Sequence, residues 1–132
     1  MRVETYWNLH KDTYSVRAVS GDNRGRVIDY SDFVEMRNVT FSVQPAGRAK
    51  VLVERKKNVH AFVRGERCEW SLEDVRRNRI AGKGEWVKVG YCPYKSGSFV
   101  TQDGVEVKSA EYAMCTTYED NGKPYILAYN VK

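Results

Sequence analysis

Strict alternation marks the segment Asn58-Val59-His60-Ala61-Phe62-Val63-Arg64 as a β-strand. Successive side chains of a strand point to opposite faces, so residues of odd and even number form two separate rows. Val59, Ala61 and Val63 form an aliphatic row that we expect to face the core. The opposite row carries Asn58, His60, Phe62 and Arg64. We predict that a second, C-terminal lobe of the protein covers this row, or that the row is a binding surface.

The same period of two recurs along the chain, at Val39, Phe41 and Val43, at Val87, Val89 and Tyr91, and at Tyr125, Leu127 and Tyr129. Asp-Gly and Asn-Gly dipeptides favour tight hairpin turns because both positions tolerate positive φ. Two such dipeptides predict one hairpin over Phe99–Val107, around Asp103-Gly104, and a second over Tyr112–Tyr129, around Asn121-Gly122.

Helical signals are few. Pro45 suits the first turn of a helix that would place Ala46, Ala49, Leu52 and Val53 on one stripe. The β-branched Val51 and Val53 leave a strand through Lys50–Glu54 open as an alternative. A second short helix is predicted to begin at Ser71, with acidic residues in its first turn and arginines towards its end.

The length of 132 residues suits one domain. The glycines of residues 81–84 are the one linker-like feature, and they divide an N-terminal lobe, 1–80, from a C-terminal β-meander lobe, 85–132. The predicted fold class is α+β, a single domain of mainly antiparallel sheet with one or two short helices.

The cysteine spacing and the lack of long apolar runs bear on metal binding and on membrane contact. The three cysteines, Cys68, Cys92 and Cys115, are far apart and form no metal-binding spacing, so we expect reduced thiols and neither a metal nor another cofactor. No apolar run approaches the roughly 20 residues of a membrane-spanning helix, so we expect a cytosolic protein without a membrane partner.

The net charge of +5 is concentrated in the middle of the chain. Residues 48–79 contain ten Lys/Arg and five Asp/Glu, whereas the stretches before and after contain six of each. Such a segment favours an anionic partner, and aromatic rings among cations suit nucleic acid. The predicted binding residues are the cationic turn and the polar row that follows it: Arg55, Lys56, Lys57, Asn58, His60, Phe62 and Arg64.

A catalytic alternative uses the two histidines of the chain, His10 and His60. Two imidazoles and a cation can carry out metal-independent RNA cleavage: one imidazole takes the 2′-hydroxyl proton, the other protonates the leaving oxygen, and the cation stabilises the anionic phosphorane. Lys11 and Arg64 would supply the cation.

The chain also resembles a family of small, functionally uncharacterised proteins of tailed bacteriophages. The resemblance rests on Asn8-Leu9-His10-Lys11, Tyr14-Ser15-Val16-Arg17, Gly25-Arg26-Val27, Ala46-Gly47-Arg48, the block from Lys57 to Gly65, and Pro93-Tyr94-Lys95. Cys92 departs from the asparagine expected there, and residues 66–85 resemble nothing in the family and look like an insertion. The resemblance implies a phage origin and a host-cytoplasm location, and it implies no reaction.

These observations together predict a non-enzymatic phage binding protein that contacts nucleic acid, a host protein or a host nucleoprotein through a basic face during infection. Host takeover or anti-defence is a narrower hypothesis within this prediction. The alternatives are the metal-independent ribonuclease and a minor virion or assembly component.

Overall fold

The computed structural model describes residues 1–55, 59–68, 86–117 and 123–132. This part of the chain forms nine strands and one helix. In chain order they are β1 (Arg2–Asn8), β2 (Thr13–Ala18), β3 (Val27–Ser31), β4 (Phe33–Val43), α1 (Pro45–Glu54), β5 (Ala61–Arg67), β6 (Trp86–Gly90), β7 (Val100–Thr101), β8 (Ser109–Thr116) and β9 (Tyr125–Tyr129).

All nine strands belong to one sheet, in the order β3-β2-β1-β5-β4-β8-β9-β6-β7. Every pairing is antiparallel. The predicted α+β class with mainly antiparallel sheet is therefore confirmed. The boundary between the two predicted lobes lies outside the described residues, and β8 pairs with β4, so strands from both lobes share the sheet.

The sheet curves back on itself. The hydroxyl of Tyr14, on β2, donates a hydrogen bond to the backbone oxygen of Tyr125, on β9, at 3.0 Å. Four strands separate β2 from β9 in the sheet, so only strong curvature brings them this close. The inner face encloses one apolar core, which includes Val3, Val16, Met36, Val39, Phe41, Val63, Ala113, Cys115 and Ala128.

The predicted core rows are confirmed for β4, where Val39 and Phe41 are buried, and for Val63 on β5. The placement of Val59 in the core is wrong, because this side chain is 46% exposed. β5 begins only at Ala61, which pairs with Val43 at the end of β4. Val59 therefore lies before the paired segment, where the alternation no longer fixes which way a side chain points.

The helix predicted at Pro45 is confirmed, and the alternative strand through Lys50–Glu54 does not form. Gln44 is the N-cap, Pro45 occupies the first turn, and Arg55 ends the helix in the left-handed conformation with φ of 54°. The side of α1 that is buried carries Val51, so the predicted stripe of Ala46, Ala49, Leu52 and Val53 is exposed. The second predicted helix, beginning at Ser71, lies outside the described residues.

Both predicted hairpins are present in the described parts of the chain. Gly104 has φ of 83° and donates its N–H to the backbone oxygen of Thr101 at 3.0 Å, which closes the first turn. β8 and β9 pair from Tyr112 with Tyr129 to Thr116 with Tyr125, as the second hairpin requires. Its Asn121-Gly122 turn lies outside the described residues.

A bulge in β4 brings this strand unusually close to β5. The register shifts between Arg37 and Thr40, and Asn38 has φ of 52°. A Cβ atom on Gly65 would lie 2.8 Å from the backbone oxygen of Arg37, so only glycine fits opposite the bulge.

The thiols of Cys68, Cys92 and Cys115 are free in this structure. Burial raises the pKa of Cys115 to about 12, so this thiol stays protonated and unreactive at neutral pH. In the described segments, no helix is long and apolar enough to cross a membrane.

Candidate functional site

The face of the sheet that turns away from the core carries four arginines on adjacent strands. Arg17 lies on β2, Arg2 on β1, Arg64 on β5 and Arg37 on β4. We call Arg2, Arg17, Arg37 and Arg64 the arginine face.

Strand register arranges these arginines in two rows around two glutamates. In the strand register, Glu66 on β5 lies directly opposite Arg2 on β1 and Arg37 on β4. In the same way, Glu4 on β1 lies directly opposite Arg17 on β2 and Arg64 on β5. In each row the two arginines are two strand spacings apart, about 10 Å, and neighbouring rows are about 7 Å apart along the strands. Four guanidinium groups thus share one compact patch with two carboxylates.

Glu4 bonds to both arginines of the row that contains Arg17 and Arg64. The side chain of this residue is buried, and its carboxylate accepts a hydrogen bond from Arg64 at 2.7 Å and one from Arg17 at 3.1 Å. Burial raises the pKa of the Glu4 carboxyl, but the hydrogen bonds and charges of Arg64 and Arg17 outweigh it, and the pKa lies below its usual range. One carboxylate balances one of the two cations, so this row keeps a net positive charge.

Phe62 packs inside the arginine face. Its ring meets the ring of Tyr6 edge-on, with centroids 5.9 Å apart, and the guanidinium carbon of Arg17 lies 4.7 Å above its centroid. Only 2% of Phe62 is exposed. Of the two possibilities that the sequence left for this row, the structure supports coverage at Phe62. Among the described residues, the ring contacts come from Tyr6 on β1 and Arg17 on β2.

His60 is also buried, at 6% exposure, just before β5. Its Nε2 lies 2.7 Å from the hydroxyl of Tyr91, and burial raises the pKa of that hydroxyl. His10 lies in the exposed turn between β1 and β2, where its backbone N–H donates to Asn8. The two histidines thus occupy very different environments.

The two cations proposed for the ribonuclease are engaged elsewhere. The Lys11 ammonium lies over the ring of Tyr30, 4.7 Å from its centroid, and Arg64 bonds to Glu4. Of the predicted cationic turn, Arg55 is exposed at the end of α1. Lys56, Lys57 and Asn58 lie outside the described residues.

A sequence model of the family described as the Mycobacterium phage L5 gene 82 protein matches residues 1–121. The chain belongs to this family. The gene 82 protein of Mycobacterium phage L5 is 40% identical over 106 residues, which cover 76% of this chain and 77% of the relative. No solved structure matches the chain. The predicted membership of a family of small phage proteins is confirmed, and the matched range includes the whole arginine face.

Sequence reasoning found one member of the arginine face in this gene 82 family protein, Arg64, and missed Arg2, Arg17 and Arg37. All three precede the basic segment 48–79, in a stretch with equal numbers of acidic and basic residues. The available signal was Glu4, a charged residue between Val3 and Thr5 in a strand pattern. A buried carboxylate requires cationic partners, but only the strand register shows which cations those are.

Proposed function

We propose that this phage protein is a non-enzymatic nucleic-acid-binding protein that acts in the host cytoplasm through its arginine face. The observation that carries the proposal is the pairing of Arg17 and Arg64 with one buried carboxylate. The row keeps an uncompensated positive charge that is held in place by the fold, and Arg2 and Arg37 extend it on the same face.

The chemistry of the patch suits phosphates. Guanidinium groups bind phosphate oxygens through paired N–H donors and stay charged at all relevant pH values. Arg17 is restrained by Glu4 and by the ring of Phe62, so ordering its side chain on binding costs little entropy. Arg37 pairs with Glu66 in an exposed ion pair, which phosphate oxygens can replace at small cost.

The covered ring of Phe62, within the arginine face, favours a duplex over a single strand. Proteins that bind single strands stack unpaired bases on exposed aromatic side chains. Phe62, the ring that the sequence offered for this purpose, is buried under Arg17. Contacts to the sugar-phosphate backbone then dominate, and they position a protein on a duplex without reading its sequence.

Covering nucleic acid in the infected cell is one way for a small phage protein to block a host factor, so host takeover or anti-defence is the role that follows from this proposal. A ribonuclease has less support. General acid-base catalysis needs an imidazole that reaches the substrate, and His60 is buried against Tyr91.

Binding to a labelled duplex of about 20 base pairs, measured by fluorescence anisotropy across a salt series, tests the proposal. Each phosphate neutralised contributes about 0.9 to the slope of log affinity against log salt, so four arginines predict a slope of about −3 to −4. A single strand of equal length should bind more weakly at every salt concentration, and labelled RNA should stay intact.

The contrary outcomes are distinct. Absence of duplex binding at low salt, or a complex that salt does not weaken, would contradict nucleic-acid binding and direct attention to an acidic host protein. Tighter binding of the single strand would contradict the duplex preference alone.

A further inference from the structure

The helix α1 turns an apolar stripe towards solvent. Val53 is 82% exposed, and Leu52, one residue before it, is exposed as well. Ala46 and Ala49 precede Val53 at the spacing of helix turns and are also exposed. A surface helix normally turns such a stripe towards the core. Here it is turned towards solvent.

The attachment of the helix fixes this orientation. Val51 is the buried residue of α1, and Arg48, on the same side, donates from Nε to the backbone oxygen of Pro93 at 3.1 Å. Gly97 lies against the Arg48 side chain, where an added Cβ would be 3.5 Å from its guanidinium. With that side held, the opposite side, which carries Ala46, Ala49 and Val53, points outwards because 3.6 residues complete each turn.

The charges beside the stripe are mostly positive. Lys50 on α1 and Arg55 at its C-cap are exposed cations, against one acidic residue, Glu54. Two copies of the helix packed against each other would bring these cations together, so self-association through this surface is disfavoured. Acidic side chains on a partner would complement it.

We propose that the stripe Ala46, Ala49, Leu52 and Val53 of α1 is a docking surface for an acidic amphipathic helix of a partner protein. The two alanines permit a close approach, and helices pack side by side at about 8–10 Å when such residues lie at the contact. Leu52 and Val53 supply apolar side chains that the partner buries, and the cations beside the stripe select acidic flanks. The inference uses a surface separate from the arginine face and does not depend on nucleic-acid binding.

The test uses two labelled 18-residue peptides with the same leucine stripe, one with glutamate flanks and one with lysine flanks. Anisotropy titrations of the whole protein should show binding of the glutamate peptide at least tenfold tighter than that of the lysine peptide. Val53→Lys should lower the affinity for the glutamate peptide at least tenfold. Val105→Lys, a matched change at a valine that is 61% exposed in the turn after β7, should leave its affinity unchanged.

Three results would overturn the inference. If the glutamate peptide bound no better than the lysine peptide, the surface would not select an acidic partner. Equal losses in the two lysine variants would show binding elsewhere. Concentration-dependent dimers in sedimentation experiments that Val53→Lys abolishes would identify a second copy as the occupant. Val53 is exposed, so its replacement should leave the thermal unfolding temperature unchanged, and a folding defect does not confuse these results.

Discussion

Replacing Phe62 with alanine is expected to lower the free energy of unfolding by about 3–5 kcal/mol. The ring is almost fully buried, packs edge-on against Tyr6 and lies beneath the guanidinium of Arg17. Its removal leaves a cavity between β1, β2 and β5 that the surrounding strands fill only in part. Thermal and chemical unfolding should both report the loss, with the unfolding temperature falling by about 10 °C or more.

Tyr94→Ala is the matched control, because it also deletes a ring, and Tyr94 is largely exposed in the loop after β6. Its effect should stay within about 0.5 kcal/mol. If Phe62→Ala were equally mild and instead reduced duplex affinity per folded molecule, the ring would be a contact surface and its assignment to packing would be wrong.

Glu4→Gln is expected to lower the free energy of unfolding by about 2–3 kcal/mol at neutral pH, since it weakens two charge-assisted hydrogen bonds at a buried site. The folded-state pKa of Glu4 is depressed, so its stabilising effect is full above the unfolded pKa of about 4.3 and is lost as pH falls through the folded value. The difference between wild type and Glu4→Gln should therefore shrink below about pH 4.

Denaturant titrations of both proteins at neutral and acidic pH measure this difference. Glu66→Gln serves as the control, because the Arg37–Glu66 pair is about half exposed and should contribute at most about 1 kcal/mol. A Glu4→Gln effect as small as that of Glu66→Gln, or one that does not change with pH, would mean that Glu4 does not organise the arginine face.

Local pattern was enough to predict most of the strands and the helix. Alternation of Val39 and Phe41 fixed a core row, and Asp103-Gly104 fixed a turn, because each depends on neighbouring residues. The prediction that Val59 lies in the core was wrong because it, too, relied on the local pattern alone. Alternation is a property of a paired strand, and pairing starts two residues later, at Ala61.

The arginine face could not be predicted because it depends on which strands become neighbours. β5 inserts between β1 and β4, and this placement alone brings Arg64 beside Glu4 and Arg37 beside Glu66. The distribution of net charge along the chain predicted a binding site within residues 48–79. Strand pairing instead places Arg2, Arg17 and Arg37, from the neutral stretch before that segment, beside Arg64. The bulge at Asn38 and its need for Gly65 are likewise products of long-range register.

Duplex binding across a salt series, compared among three charge-removed variants, tests the location of the site most directly. Arg2→Gln with Arg37→Gln removes two exposed members of the arginine face and leaves both partners of Glu4 in place. The second variant neutralises Arg55, Lys56 and Lys57. The third, Lys95→Gln with Lys123→Gln, removes two exposed charges beyond the arginine face and is the control.

If the arginine face binds phosphates, the first variant should flatten the slope of log affinity against log salt by about two units, and the other two variants should retain the wild-type slope. A wild-type slope in the Arg2/Arg37 variant, with a flattened slope in the Arg55–Lys57 variant, would place the phosphates on the turn after α1 and contradict the arginine face as the binding site.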